Sequence, residues 1–147
     1  MAGSKKNSFE TSVLEHIFNN TNIANIGDAT GLRGSTVAGS FYVGLYTVAP
    51  SDSVAGTECN YTSYARVAVA RSAGGWTIST NNCSNTAVVT FPTCTGGTNT
   101  AVAFAICKAG TKDVDDAIFW GDLTAQLAIS NGITPEFAPA ELDINED

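Results

Sequence analysis

Between Phe41 and Val48 the chain reads Phe-Tyr-Val-Gly-Leu-Tyr-Thr-Val, and it stops at Ala49-Pro50. Aromatic and β-branched residues packed this densely suit a pleated, half-buried surface, and a proline ends such a run because it has no N–H for the ladder. The same kind of run recurs from Tyr61 to Arg71, Trp76 to Ser79, Ala87 to Phe91, Ala101 to Cys107, Ile118 to Leu123, Gln126 to Ser130 and Glu141 to Asn145. Turn-forming clusters separate nearly all of them. Ser72-Ala73-Gly74-Gly75 reads as a hairpin connection and Cys94-Thr95-Gly96-Gly97-Thr98-Asn99 as a longer one. Short strands punctuated in this way predict a mainly β fold, an antiparallel β-sandwich or barrel.

Only the start of the chain departs from that pattern. From Ser8 to about Asn20 the apolar residues Phe9, Val13, Leu14, Ile17 and Phe18 recur at helical spacing, which predicts one short N-terminal α-helix. Ser8 is the expected N-cap, Glu10 favours the helix dipole in the first turn, and Asn19-Asn20-Thr21 end the helix. A helix of this length is marginal alone, so its apolar stripe must be covered by the sheet or by a neighbouring subunit. Ile23 to Ser40 carries Gly27, Gly31, Gly34 and Gly39 with few large apolar residues and reads as a long loop. It exceeds the usual length of structureless connections and is expected to serve as an interface arm. The chain is thus expected to be one domain over 1–147, with helix and Gly-rich loop in 1–40 and the sandwich in 41–147. No heptad and no fixed-period repeat marks it as a fibre shaft.

Charged residues make up only 14% of the chain, well below the usual value of about 25%. A surface so poor in charge points to contact with partners. The net charge is −7, and no Lys or Arg follows Lys112 while nine acids lie between Asp113 and Asp147. Nucleic-acid affinity comes largely from Lys and Arg, so this balance argues against a nucleic-acid partner. The acidic end either keeps the subunit soluble or docks on a basic partner. No apolar run approaches the length of a membrane span, and no signal core follows Met1. Cys59, Cys83, Cys94 and Cys107 lack the close spacing of zinc sites. Reduced core thiols are expected in a cytoplasm. Disulfides formed later, outside the cell, are the alternative, with no pairing assigned.

The single histidine, His16, sits among apolar residues of the helix, and no serine stands in a Gly-x-Ser-x-Gly elbow. The glycine segments lack the Gly-Lys-Ser/Thr of a phosphate-binding loop. Asp113, Asp115 and Asp116 match calcium-loop spacing only loosely and read as a solvated turn. Trp76, Trp120, Tyr61 and Tyr64 fit cross-strand packing better than a sugar platform. The residues therefore predict neither an enzyme nor a cofactor or metal site.

Three segments, Phe41 to Pro50, Tyr64-Ala65-Arg66-Val67-Ala68-Val69-Ala70-Arg71 and Asn131-Gly132-Ile133-Thr134-Pro135-Glu136-Phe137, resemble a family of small tailed-bacteriophage virion structural proteins. The likeness extends to Gly56-Thr57-Glu58, Gly74-Gly75-Trp76-Thr77, Val89-Thr90-Phe91-Pro92, Trp120-Gly121-Asp122-Leu123-Thr124 and the closing Glu146-Asp147. Members are labelled head decoration or minor capsid protein in some cases and tail fibre protein in others. The resemblance implies a structural place in the virion, after synthesis in the host cytoplasm, and brings no catalytic residues. The first expectation is a capsid decoration or cement protein that stabilises the head by oligomeric packing. It is expected as a homo-oligomer, a trimer for example, seated on the major capsid protein. The alternative is a tail-fibre or tail-tip module that helps attachment to the host surface. Phe9, Val13, Ile17, Phe18, Leu32, Arg33, Glu146 and Asp147 are the expected assembly contacts.

Overall fold

The structure is a computed structural model that describes residues 5–146. It is mainly β, with antiparallel sheets and one short helix among the described residues, as the sequence predicts. Two compact units are present. One joins Met1–Gly39 to Ala70–Ala87 and Pro139–Asp147; the other joins Ser40–Val69 to Val88–Ala138. The first division falls near residue 40, and two later segments group with the N-terminal piece.

In the first unit, helix α1 (Asn7–Asn19) packs against β4 (Trp76–Ser79) and β5 (Asn82–Asn85) of a three-stranded sheet completed by β10 (Asp143–Asn145). Leu14, Phe18, Trp76, Cys83 and Leu142 are fully buried, and the Phe18 and Trp76 rings meet at 4.9 Å between centroids. The helix does not start at a Ser8 cap. Lys6 is the N-cap without a side-chain bond, and its carbonyl accepts the Phe9 and Glu10 N–H groups at 2.7 and 3.0 Å. At the other end Asn20 adopts the left-handed conformation, and the Arg71 guanidinium donates to the carbonyls of His16 (3.0 Å) and Ile17 (2.7 Å). A cation in this position answers both the unpaired carbonyls and the negative end of the helix dipole.

The Gly-rich loop, expected as an interface arm, is held by bonds within its own unit. Ile23 and Leu32 exchange two backbone hydrogen bonds of 2.9 Å. Asp28 Oδ1 accepts the Thr30 and Gly31 N–H groups, which holds the tip. Gly31 has φ of +63°, and a Cβ there would lie 1.9 Å from the Ile23 carbonyl oxygen, so only glycine closes this turn. Asn20 and Arg71 fasten the return of the loop through Ser35 and Ala38.

The second unit is built on β1 (Ser40–Val48), β2 (Thr57–Glu58), β3 (Val67–Ala70), β7 (Asn99–Cys107) and β8 (Ala117–Ile129), with the path β2-β1-β7-β8 and β3 also on β1. Among the described residues this path does not close into a barrel. A separate pair joins β6 (Val89–Thr90) to β9 (Glu136–Phe137), and Phe137 with Phe91, which follows β6, brings aromatic rings to the core. Phe137 meets Phe104 edge-on at 5.9 Å and Phe91 at 6.1 Å, and Phe91 stacks on Tyr64 at 6.2 Å. That layering is sandwich-like.

Several expected elements change in detail. Of Tyr61 to Arg71 only Val67–Ala70 is strand, because Ser63 has φ of +80° and breaks the extended path. Ala87 to Phe91 shrinks to two residues. The strands expected at Ile118 to Leu123 and Gln126 to Ser130 are one strand, β8, with a wide bulge between them. Ala101 faces Leu127 and Ala103 faces Asp122, so Leu123, Thr124, Ala125 and Gln126 stand opposite Val102 alone. The two expected hairpin connections are not hairpins. β3 pairs with β1 while β4 pairs with β5, and β6 pairs with β9 while β7 pairs with β1 and β8. Strand β5 was not expected, since Asn82-Cys83-Ser84-Asn85 has little apolar character. It is held from both sides by β4 and β10, and Asn85 is buried with its amide donating to the Ala87 carbonyl and accepting from the Leu142 N–H.

Candidate functional site

The residues expected to make assembly contacts divide by exposure. Phe9 (41% exposed), Leu32 (46%) and Arg33 lie open on the first unit, joined by Ile26 and Val37. Val13 and Ile17 are half-buried. Phe18 is not a contact residue: it is wholly buried against Trp76, because the stripe it belongs to covers the unit's own sheet. Replacing it with alanine should lower the unfolding free energy by about 3–5 kcal/mol, the usual cost of emptying a buried phenylalanine site, and a urea melt checks this. Glu146 is also less free than an acidic tail suggests. It pairs with Lys5, and its N–H and carbonyl bond to Asn81. Asp147 lies outside the described residues.

All four cysteines are buried free thiols. Burial pushes the Cys59 and Cys83 thiols up to about 12 and the Cys107 thiol up to about 11. Cys107 also shares a 3.6 Å contact with the Tyr46 hydroxyl, and Cys94 donates to the Gly96 carbonyl at 3.3 Å. Thiols in this state are poor nucleophiles. His16 uses Nδ1 to donate to the Thr21 carbonyl at 2.7 Å, which helps close the helix end.

The most organised polar feature lies in the second unit, and the sequence reading did not identify it. Strand pairing sets Tyr46 opposite Glu58, and Ala103 and Ala105 of β7 opposite Tyr46 and Gly44 of β1. These small residues leave room for a layer of polar side chains, since a Cβ on Gly44 would come within 3.3 Å of Glu58 Oε1 and 3.4 Å of the Tyr64 hydroxyl. Arg66 occupies the centre. Its Nε and Nη2 donate to Glu58 Oε1 and Oε2 at 2.9 and 3.1 Å, and its Nη1 donates to Asp116 Oδ1 at 2.7 Å. Nη1 also reaches the Ala109 carbonyl (2.8 Å) and Nη2 the Val114 carbonyl (3.2 Å), so all five guanidinium donors are used.

The carboxylates are equally committed. Glu58 also accepts the Tyr64 hydroxyl at 2.7 Å and the Asp113 N–H at 2.9 Å, and Asp116 accepts the Ala109 N–H at 2.6 Å. The Arg66 side chain is 0% exposed, and those of Glu58 and Asp116 are 2% and 7% exposed. Burial disfavours the charge on Arg66, yet the hydrogen bonds to Glu58 and Asp116 hold its pKa above the ordinary value. Burial raises the Tyr64 phenol as well, helped by its bond to the Glu58 carboxylate. The expected solvated turn at Asp113 to Asp116 is corrected here: Asp116 is buried and anchors the 109–116 loop to Arg66. A shallow cleft lined by Tyr46, Gly56, Glu58, Asp113 and Val114 adjoins the cluster. Its Glu58 carboxylate is fully engaged, since each oxygen already accepts two hydrogen bonds, and its Asp113 carboxylate is exposed beside Lys112. A network bonded this densely fixes the 109–116 loop to Arg66.

One signal for the cluster stood in the sequence. Glu58 and Arg66 are charges set within runs of uncharged residues, in Gly-Thr-Glu and Tyr-Ala-Arg, and isolated charges in such runs are candidates for buried pairing. Exposed apolar side chains in the same unit include Val48, Val54, Val114 and Trp120.

No curated protein matches the chain at a significant level. A family model described as Podophage GP4 fiber I protein gp80 matches residues 4–145. With nearly the whole chain matched, this protein belongs to that family of phage virion structural proteins, and its place is the virion.

Proposed function

We propose that the protein serves as a fibre module of the phage tail, contributing to attachment at the host surface, and that it does so without catalysis. The observation that carries this reading is the family match over residues 4–145, whose description is of a fibre protein. It favours the fibre alternative over the head-decoration role that the sequence suggests first. The physical character of the chain supports a role based on contact. Its best-formed polar cluster is bonded within the fold, and its thiols are buried. In this role it works beside other virion proteins and copies of itself.

Copy number and position in purified particles test the proposal. Quantitative mass spectrometry of whole virions, with gold-labelled antibody seen by electron microscopy, should find few copies relative to the major capsid protein and label at the tail. Label spread over the head, at a copy number near that of the capsid lattice, would return the protein to head decoration.

A further inference from the structure

The chain has a single Asn-Gly step, Asn131-Gly132, and it lies on the surface of the second unit. Asparagine followed by glycine is the pair most prone to intramolecular imide formation, because no side chain shields the following nitrogen. Here the step is built into a turn. The Ile133 N–H donates to the Ser130 carbonyl at 2.9 Å, Gly132 has φ of +88°, and Asn131 is not among the residues of positive φ. That combination defines a type II turn, in which the rotation after the first central residue is about +120°. Ring closure needs the Asn131 Cβ and the Gly132 nitrogen nearly eclipsed about the Cα–C bond, which is far from that rotation. The attacking nitrogen is engaged as well: the Gly132 N–H donates to the Cys94 carbonyl at 2.8 Å. Cys94 returns a second bond from its own N–H to the Ile133 carbonyl, also 2.8 Å, and the Thr93 and Thr134 hydroxyls meet at 2.7 Å.

We propose that Asn131 is a deamidation site that the fold holds shut, and that modification there follows opening of the 130–134 turn. The chemistry needs only water. In the opened turn the Gly132 nitrogen gives its proton to solvent and attacks Asn131 Cγ. The new C–N bond forms as the Cγ–Nδ2 bond breaks, and ammonia leaves with the proton. Water then opens the cyclic imide. Cleavage at Cγ gives aspartate, and cleavage at the main-chain carbonyl gives isoaspartate, with the chain continuing through Cγ.

Either product adds a negative charge to segments, 92–101 and 129–135, that contain no charged residue. Isoaspartate also lengthens the main chain by one carbon, so the bonds to Cys94 cannot re-form in register. An opening event is thereby made permanent. This inference does not depend on whether the protein sits in the tail or on the head.

The full-length protein, folded or held in urea, is incubated in mildly alkaline buffer, and the peptide containing residue 131 is followed by mass spectrometry with isoaspartate detection. The folded chain should react at least about tenfold more slowly, because the rate follows the small population of the open turn. Thr134→Val removes the hydroxyl contact beside the turn. It should speed the reaction in the folded protein, with an unchanged circular dichroism spectrum, and leave the rate in urea as it was. Equal rates in the folded and unfolded chains would remove the protective role of the turn. An unmodified Asn131 in urea would show that the step is not a deamidation site at all.

Discussion

Arg66→Met should lower the unfolding free energy by about 3–5 kcal/mol, the range observed when one member of a buried ion pair is removed and the other is left uncompensated. The variant leaves the Glu58 and Asp116 carboxylates inside the second unit without their cation, and frees the carbonyls of Ala109 and Val114. The loss should be read as a shift of the urea midpoint with little change of slope. It should shrink on acidification, because a neutral carboxyl costs far less to bury than a carboxylate. Replacing Glu58, Arg66 and Asp116 together by apolar residues of similar volume should recover most of the loss, since desolvation nearly cancels the attraction within such groups. If Arg66→Met alone melts like the parent protein, the cluster does not hold the 109–116 loop as described.

Raising the pH should unfold the protein over the window in which its buried thiols resist ionisation. In the unfolded chain these thiols ionise near their ordinary value of 9.0, whereas in the folded chain burial delays Cys107 to about 11 and Cys59 and Cys83 to about 12. Below pH 9 both states keep the proton and the thiols have no bearing on stability. Above it the unfolded state releases protons that the folded state retains, so stability falls with each step in pH until the folded values are reached. Tyr61, raised to about 12 first by burial, acts in the same direction.

Each unit of pH in that window is worth about 1.4 kcal/mol per thiol. Three thiols together therefore approach the whole stability of a typical domain, about 5–15 kcal/mol. Circular dichroism followed against pH should show a cooperative loss of structure before the upper end of the window. Cys59→Val should move that transition to higher pH, and an unmoved transition would show that thiol ionisation is not its cause.

These two expectations differ in how far the sequence alone could reach them. Strand β1 was legible almost to the residue, because Phe41 to Val48 joins strong β propensity to a proline stop. Trp76–Ser79 was legible from β propensity after the Gly74-Gly75 turn, and a helix ending near Asn20 from its apolar spacing. The burial of Phe18 was undecided, since helical spacing shows that a stripe must be covered and does not say by what. Strand β5 was invisible: Asn82 to Asn85 is extended only because β4 and β10 hold it from either side. The bulge in β8 was read as a gap between two strands, because the polar residues around Thr124 look like a turn until the ladder on β7 is seen to resume beyond them.

By itself, the sequence determined the fold class, the positions of the strongest strands, the short helix and the kinship with phage virion proteins. The structural ones rest on local pattern, on propensity and period, which act within a few residues of the chain, whereas the kinship rests on the resemblance of whole segments. The tertiary structure alone decided that Glu58, Arg66 and Asp116 meet, that Phe18 faces inward, and that the Asn131-Gly132 step is closed by Cys94. Each of these depends on residues far apart in sequence becoming neighbours, where the cost of burying a charge or a donor is met only by a partner that folding supplies.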